Sequence, residues 1–298
     1  MNWQELSGQL SQGLLLDEPM ARHTSFKIGG PSEAFARPGS MTELKACLDF
    51  AAKESVPVFF LAGGTNLLVR DAGIRGLTLK LEGEFKEIRF EGLQVHVGAG
   101  ANLALLSQKA AKQGLSGLEF AVGIPGTVGG GLVMNAGAHG SDLSAVTTRI
   151  SYVENGVVTE IPGSEAGFEY RSSRFKNSPA LLLWADMVLK AGDLSEIQKA
   201  MDAVTAKRRS TQPQSVPNAG CVFKNPAGES AGRLIEACGL KGASVGGAQI
   251  SEVHANFVVN TGGAKAADVL ALMERARNAV MDKFQIRLQD EVLVVGEA

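Results

Sequence analysis

A chain of 298 residues with 45% hydrophobic and 20% charged side chains is long enough for two or three folded domains and too apolar to be disordered. Its formal net charge of −2 carries no footprint for nucleic acid or for an acidic lipid surface. The 36 glycines beside only 10 prolines are too many for ordinary turns and too apolar in context for a linker. They gather at 63–64, 98–100, 123–140 and 239–247, where tight turns or a close backbone approach to a ligand need them.

The opening MNWQELSGQL lacks the basic and apolar regions of a secretory signal. No apolar run reaches the length of a bilayer span, so the sequence reads as cytoplasmic with no membrane insertion. Leu44, Cys47, Leu48 and Ala51 recur on one face and predict a helix over Met41–Glu54, followed by a strand over 56–61. Strands are expected over 77–81, 85–90 and 93–97, then a helix over Leu103–Lys112 with Asn102 as its N-cap. Glu154-Asn155-Gly156 between two apolar runs marks a hairpin, and 181–189 reads as a further strand. Beyond about residue 190 the chain turns more helical, with helices over 194–209, 230–238 and 264–284 and strands over 257–259 and 291–295.

Three cysteines, Cys47, Cys221 and Cys238, without C-x-x-C spacing argue against a disulfide framework and against a metal site. Cys47 and Cys238 fall on apolar helix faces and read as small buried hydrophobes. Cys221 differs. It stands between Gly220 and the pair Val222-Phe223, with Lys224 close behind, a poor composition for a strand interior and a good one for a proton donor at a pocket wall. Upstream, residues 61–69 follow a predicted strand and turn on Gly63-Gly64, where exposed amides can bind phosphate oxygens and Thr65 can add a hydroxyl. Residues 123–130 offer a second wall of backbone donors. No G-x-G-x-x-G opens a helix, and there is no Walker A loop. Either glycine loop alone reads more readily as a plain turn; two in one domain favour a cofactor cradle, and a separate acid-bearing loop suggests a redox enzyme that moves protons.

The ordered segments HTSFKIGGP (23–31), LAGGTNLLVRDAGIRG (61–76), GLSGLEFAVGIPGTVGG (114–130), MNAGAHG (134–140), YRSSRFK (170–176), NAGCVFKNP (218–226), HANFVVN (254–260) and LQDEVLVVG (288–296) resemble UDP-N-acetylenolpyruvoylglucosamine reductases, also called UDP-N-acetylmuramate dehydrogenases. The passage from Lys176 to the strand at 181 without an inserted tyrosine-bearing loop resembles the shorter branch of that family. The resemblance implies an α+β fold: a PCMH-type FAD-binding domain of two α+β subdomains (1–80 and 81–192, the latter joined by the last strand, 288–298) and a C-terminal α+β substrate domain (193–287). It implies non-covalent FAD, NADPH as co-substrate and UDP-N-acetylglucosamine enolpyruvate as substrate, in peptidoglycan precursor synthesis. Another PCMH-type flavin oxidase or dehydrogenase is the alternative.

The same resemblance supplies site residues. Arg171 matches the catalytic arginine, whose planar fork suits a carboxylate. Cys221 stands where the family usually has a serine proton donor, and Glu291 matches its catalytic glutamate. FAD contacts are implied at Gly63, Gly64, Thr65, Asn66 and Leu67, at Gly123, Ile124, Pro125, Gly126, Thr127 and Gly130, and at Asn135, Ala136 and Gly137. Tyr170, Asn225, Lys241 and His254 match positions that contact the nucleotide-sugar. Lys241 reads equally as a solvated lysine, and His254 equally as a core histidine.

Overall fold

The Ser40 hydroxyl accepts the Glu43 amide and satisfies one of the donors that a helix start leaves open, so the helix Met41–Glu54 begins there. Its buried face is Leu44, Cys47, Phe50 and Ala51, while Leu48 is only partly covered. Asn102 does the same for the helix Leu103–Lys112, accepting the Leu105 amide at 2.8 Å. The computed structural model describes residues 2–297. It divides the chain into two units. The first runs through Leu15 and adds Ala34–Gly63 and Leu77–Arg208; the second takes Leu16–Glu33, Gly64–Gly76 and the chain from Arg209 onward. The crossing at Arg208 falls inside the helix Leu194–Thr211, longer than the sequence period marked.

The first unit holds a five-stranded antiparallel sheet in the order Val157–Pro162, Thr147–Glu154, Leu181–Val188, Gln94–Gly98, Ile88–Glu91. Its hairpin closes where Glu154 meets Val157 across Asn155 and Gly156, whose φ values of 51° and 76° give the turn its twist. Phe85 does not open a strand. It sits in the 3-10 turn Gly83–Lys86, fully buried, because Gly83 at φ 52° bends the chain before the sheet begins. Trp184 packs its ring 5.3 Å from Phe85, and Trp3 lies 5.3 Å from Phe50. Tyr152 meets Phe175 edge-on at 5.2 Å.

Residues Val128–Val133 form a short helix where the sequence reads as a loop wall. Glycine costs about 1 kcal/mol relative to alanine inside a helix. Packing offsets that here: a Cβ on Gly129 would stand 2.8 Å from the Ala99 Cβ, and one on Gly131 2.8 Å from a Leu143 methyl. The helix lies closer to its neighbours than any side chain allows.

The second unit is built on a four-stranded antiparallel sheet in the order Asn218–Cys221, Phe257–Asn260, Ala248–Ile250, Ser244–Val245. Against it lies the helix Ala266–Phe284, with Val269, Leu272, Met273, Ala276 and Val280 buried at helical spacing. The Asp71 carboxylate accepts the amides of Ala266 and Ala267 at 2.8 and 3.0 Å, placing a negative charge where the helix dipole favours one. The helix Ala231–Ala237 starts at Ser230 and is followed by Gly239 at φ 71°. Leu293–Val295 pairs in parallel with Leu67–Val69 rather than with a strand of 81–192, to which the resemblance joins it; it is also shorter than the sequence predicts and leaves Glu291 just before it. None of the described helices is long and apolar enough to cross a membrane.

Candidate active site

Two glycine turns meet within the first unit. A Cβ built on Gly63 would stand 2.7 Å from the Gly126 Cα, so the two backbones touch and the first turn has no room for a side chain at Gly63. The amides of Gly63, Gly126 and Thr127 have no acceptor among the described residues. Unused donors on a bare backbone surface fit the phosphate groups of a dinucleotide. Part of the expected donor wall is spent internally. The Ile124 amide donates to Ala121, and the Gly130 amide donates to the Thr127 hydroxyl at 3.3 Å. Gly64, in the second unit, takes φ 63°; a Cβ there would lie 2.1 Å from the His23 carbonyl oxygen.

Asn135 is buried and left-handed at φ 40°, and its side chain is used structurally. Its oxygen accepts the Ser144 amide at 3.1 Å and its nitrogen donates to the Glu169 carbonyl at 3.3 Å. The second bond holds the segment that presents Tyr170 and Arg171. Arg171 has φ 55°, a conformation that costs a non-glycine residue about 1–3 kcal/mol and concentrates at functional sites. Its Nη1 donates to the Gly137 carbonyl at 3.0 Å, and the Arg171 carbonyl accepts from Lys176 Nζ at 3.3 Å. Downstream, Ser173 donates to the Val133 carbonyl at 2.8 Å. The guanidinium lies 5.4 Å from the centre of the exposed Tyr170 ring. Asn135 and Ser173 thus hold the chain before and after the arginine, and the Gly137 carbonyl holds its guanidinium.

In the second unit Cys221 ends an edge strand, where the sequence argues against one. Gly220 resolves the difference: at φ 78° it forms a bulge, and the pairing with Phe257–Asn260 resumes only at Cys221 opposite Phe257. Asn218 closes the turn by accepting the Gly220 amide at 3.0 Å. Beyond the thiol, the Glu291 amide donates to the Val222 carbonyl at 2.9 Å and the Lys224 amide to Gln289 at 2.8 Å. The structure therefore brings Cys221 and Glu291 onto adjacent hydrogen-bonded segments. Asn66 joins them: its side chain donates to the Glu291 carbonyl at 3.0 Å.

Sequence reasoning missed Asn256. It is 1% exposed, its oxygen accepts the Phe223 amide at 3.0 Å, and its nitrogen donates to the Phe223 carbonyl at 2.8 Å. The only signal was its place in HANFVVN, two residues after His254. His254 accepts the Asn256 amide at Nδ1, at 3.2 Å, which puts the proton of the neutral ring on Nε2. Burial holds its pKa below the ordinary 6.5, helped by the charge of Lys241 and opposed by Glu236. Lys241 is paired with Glu236 at 2.8 Å, and the Asn225 oxygen accepts the Ala231 amide at 3.1 Å, at the start of its helix. Cys47 is fully buried, and burial pushes its thiol up to about 12. Cys238 is partly buried and donates to the Ala279 carbonyl. Among the described residues no group of three or more His, Cys, Asp or Glu side chains could hold a metal ion.

Two family models match the chain: an FAD binding domain over residues 31–155, and the C-terminal domain of UDP-N-acetylenolpyruvoylglucosamine reductase over 212–295. With the touching glycine turns, they define an FAD-binding oxidoreductase of mixed α and β structure, with a PCMH-type cofactor domain. The chain is 48% identical over 280 residues to UDP-N-acetylenolpyruvoylglucosamine reductase 2 of Symbiobacterium thermophilum, covering 94% of this chain and 91% of that one. It is 42% identical over 295 residues to the Bacillus subtilis reductase, covering 98% and 97%. The crystal structure of the Thermus caldophilus enzyme superposes with a TM-score of 0.83 at 37% identity, covering 94% and 97%. The chain belongs to the UDP-N-acetylenolpyruvoylglucosamine reductase family.

Proposed function

We propose that this protein reduces the enolpyruvyl ether of UDP-N-acetylglucosamine to UDP-N-acetylmuramate, with NADPH as reductant, in the synthesis of peptidoglycan precursors. The observation that carries the reading is the pairing of a protic Cys221 with Glu291 on adjacent segments, in a chain that matches the reductases over almost its whole length. Non-covalent FAD, held by the bare amides of the glycine turns, would supply the hydride that NADPH delivers to it. The chain's own residues do the rest.

Hydride addition to the methylene carbon of the substrate leaves negative charge on the neighbouring carbon and its carboxylate. The Arg171 guanidinium, fixed in advance by the Gly137 carbonyl, is assigned to that carboxylate, where a placed cation is worth a few kcal/mol because the charge grows in the transition state. The Cys221 thiol gives its proton to the charged carbon, which completes reduction of the double bond. Glu291 hydrogen-bonds to the reacting carboxyl region and orients the donor. Tyr170, Asn225, Lys241 and His254 are assigned to the nucleotide-sugar: the His254 Nε2–H as a donor, and Lys241 by exchanging Glu236 for a diphosphate. Residues 1–80 and 81–192, with the last strand, 288–298, serve the cofactor in this reading, and 193–287 the substrate. NADPH and nucleotide-sugars are cytoplasmic metabolites, which supports that location.

The test is an absorbance spectrum of the purified protein, followed by NADPH oxidation with and without the enolpyruvyl substrate. Flavin bands and substrate-dependent oxidation are expected. Oxidation that runs on oxygen and ignores the substrate would overturn the assignment in favour of a flavin oxidase.

A further inference from the structure

Asn66 stands in the first glycine turn, three residues past Gly63, where family resemblance alone would aim its side chain at FAD. Its amide nitrogen is engaged elsewhere. Nδ2 donates to the Glu291 carbonyl at 3.0 Å, and the Asn66 carbonyl accepts the Leu293 amide at 3.0 Å. Residues 291–293 are thereby tied to the turn on both sides of Val292, which is buried. From there the Glu291 amide reaches the Val222 carbonyl at 2.9 Å, one residue from the thiol. One short side chain thus joins these backbone bonds in holding the peptide that carries the Glu291 carboxylate, by binding that residue's carbonyl.

We propose that Asn66 is a positioning residue for Glu291, coupling the occupied state of the glycine turn to the placement of the carboxylate used on the substrate. The inference rests on the functional reading above. Only a donor serves at this position. The Glu291 group facing Asn66 is a carbonyl oxygen, so an aspartate of the same shape would oppose acceptor to acceptor and lose the bond. The parallel pairing of Leu67–Val69 with Leu293–Val295 is made by backbone groups and does not depend on the carboxamide. An Asn66→Asp protein therefore keeps its means of folding while losing the clamp.

The experiment compares wild type, Asn66→Asp, Glu291→Gln and the double variant as FAD-loaded proteins. Stopped flow gives flavin reduction by NADPH and reoxidation by UDP-N-acetylglucosamine enolpyruvate. Loss of a partner that orients a functional group typically costs 10–100-fold. Asn66→Asp is expected to lower the ratio of reoxidation to reduction by about tenfold, and to add little further loss in the Glu291→Gln background, because both changes act through one carboxylate. Hydrogen exchange supplies a readout independent of turnover. FAD should increase protection of the Glu291 and Leu293 amides in wild type and much less in Asn66→Asp. Losses that multiply in the double variant, an unchanged rate ratio, or FAD-induced protection equal in both proteins would overturn the clamp. A wild type not reoxidised by the enolpyruvyl substrate would overturn the functional reading, while the exchange comparison still decides whether Asn66 couples the turn to residue 291.

Discussion

The carboxamide of Asn66 donates to the backbone carbonyl of Glu291 at 3.0 Å, across 225 positions of sequence. Asn66 and a glutamate matched to catalysis therefore share one hydrogen-bonded frame within the second unit, while the bare amides of Gly63, Gly126 and Thr127 belong to the first. Cradle and frame can be perturbed separately.

At the cradle, Gly63→Ala would place a methyl 2.7 Å from the Gly126 Cα, a backbone atom that cannot swing aside. Forcing extra volume into such a contact costs about 1–3 kcal/mol. We expect FAD to be held at least about tenfold more weakly, since 1.4 kcal/mol is a factor of ten. Flavin release on dilution, followed by fluorescence, measures it. Gly156→Ala is the control, because a Cβ on Gly156 meets nothing within 4 Å, although φ 76° still strains its hairpin turn.

Arg171→Ala and Glu291→Gln should slow reoxidation by the enolpyruvyl substrate at least about 10²-fold, the scale of losing one electrostatic stabiliser. Flavin reduction by NADPH builds no charge on that carboxylate and should change far less. Single-turnover stopped flow separates the two. Equal slowing of both steps would reassign these residues to folding or cofactor binding.

Cys221 as acid makes the alkaline limb diagnostic. A thiol ordinarily titrates near pH 8.5, far below an alcohol, so wild-type reoxidation should fall at lower pH than that of Cys221→Ser. Cys221→Ala should lose carbon protonation. Iodoacetamide should inactivate, with substrate protecting, and peptide mapping should find the label on Cys221 rather than on Cys47, whose thiol is pushed up to about 12 by burial. Superimposable alkaline limbs together with an active Ala variant would return Cys221 to a packing role.

His254 gives stability a pH dependence of definite sign. Burial depresses its pKa in the fold, while the unfolded chain titrates near the ordinary 6.5. As pH falls below that value the unfolded chain takes up a proton before the folded one, so the stabilising contribution is complete above pH 6.5 and shrinks toward the folded pKa. Urea unfolding of His254→Gln across this range should show a shallower acid slope than wild type. Equal slopes would show that the ring titrates alike in both states.

Local chemistry made much of this legible in the sequence. Asn102 before an apolar period announced its helix, and Asn155-Gly156 its hairpin, because caps and turns are decided by neighbouring residues. The site was legible as residue identities: Arg171, Cys221 and Glu291 stood in recognisable motifs. Their supports were not. Asn135 was legible only as an FAD contact and Asn256 not at all, since the Glu169 and Phe223 groups that reveal their structural use lie 34 and 33 positions away. The strand at Cys221 was hidden by Gly220, which weakens strand composition in the act of making the bulge. The helix Val128–Val133 was hidden by its three glycines, which oppose helix formation locally and are favoured only by the contacts with Ala99 and Leu143.

The distribution of aromatic residues decides how the molecule can be watched. Trp3 and Trp184, packed on Phe50 and Phe85, are the only two tryptophans, and Tyr152 and Tyr170 the only two tyrosines; all four belong to the first unit. The second unit, with Cys221, Glu291 and Asn66, is spectroscopically dark apart from phenylalanine. Intrinsic emission in a melting curve therefore follows one unit alone, and a tryptophan placed by substitution in the other would give each its own signal.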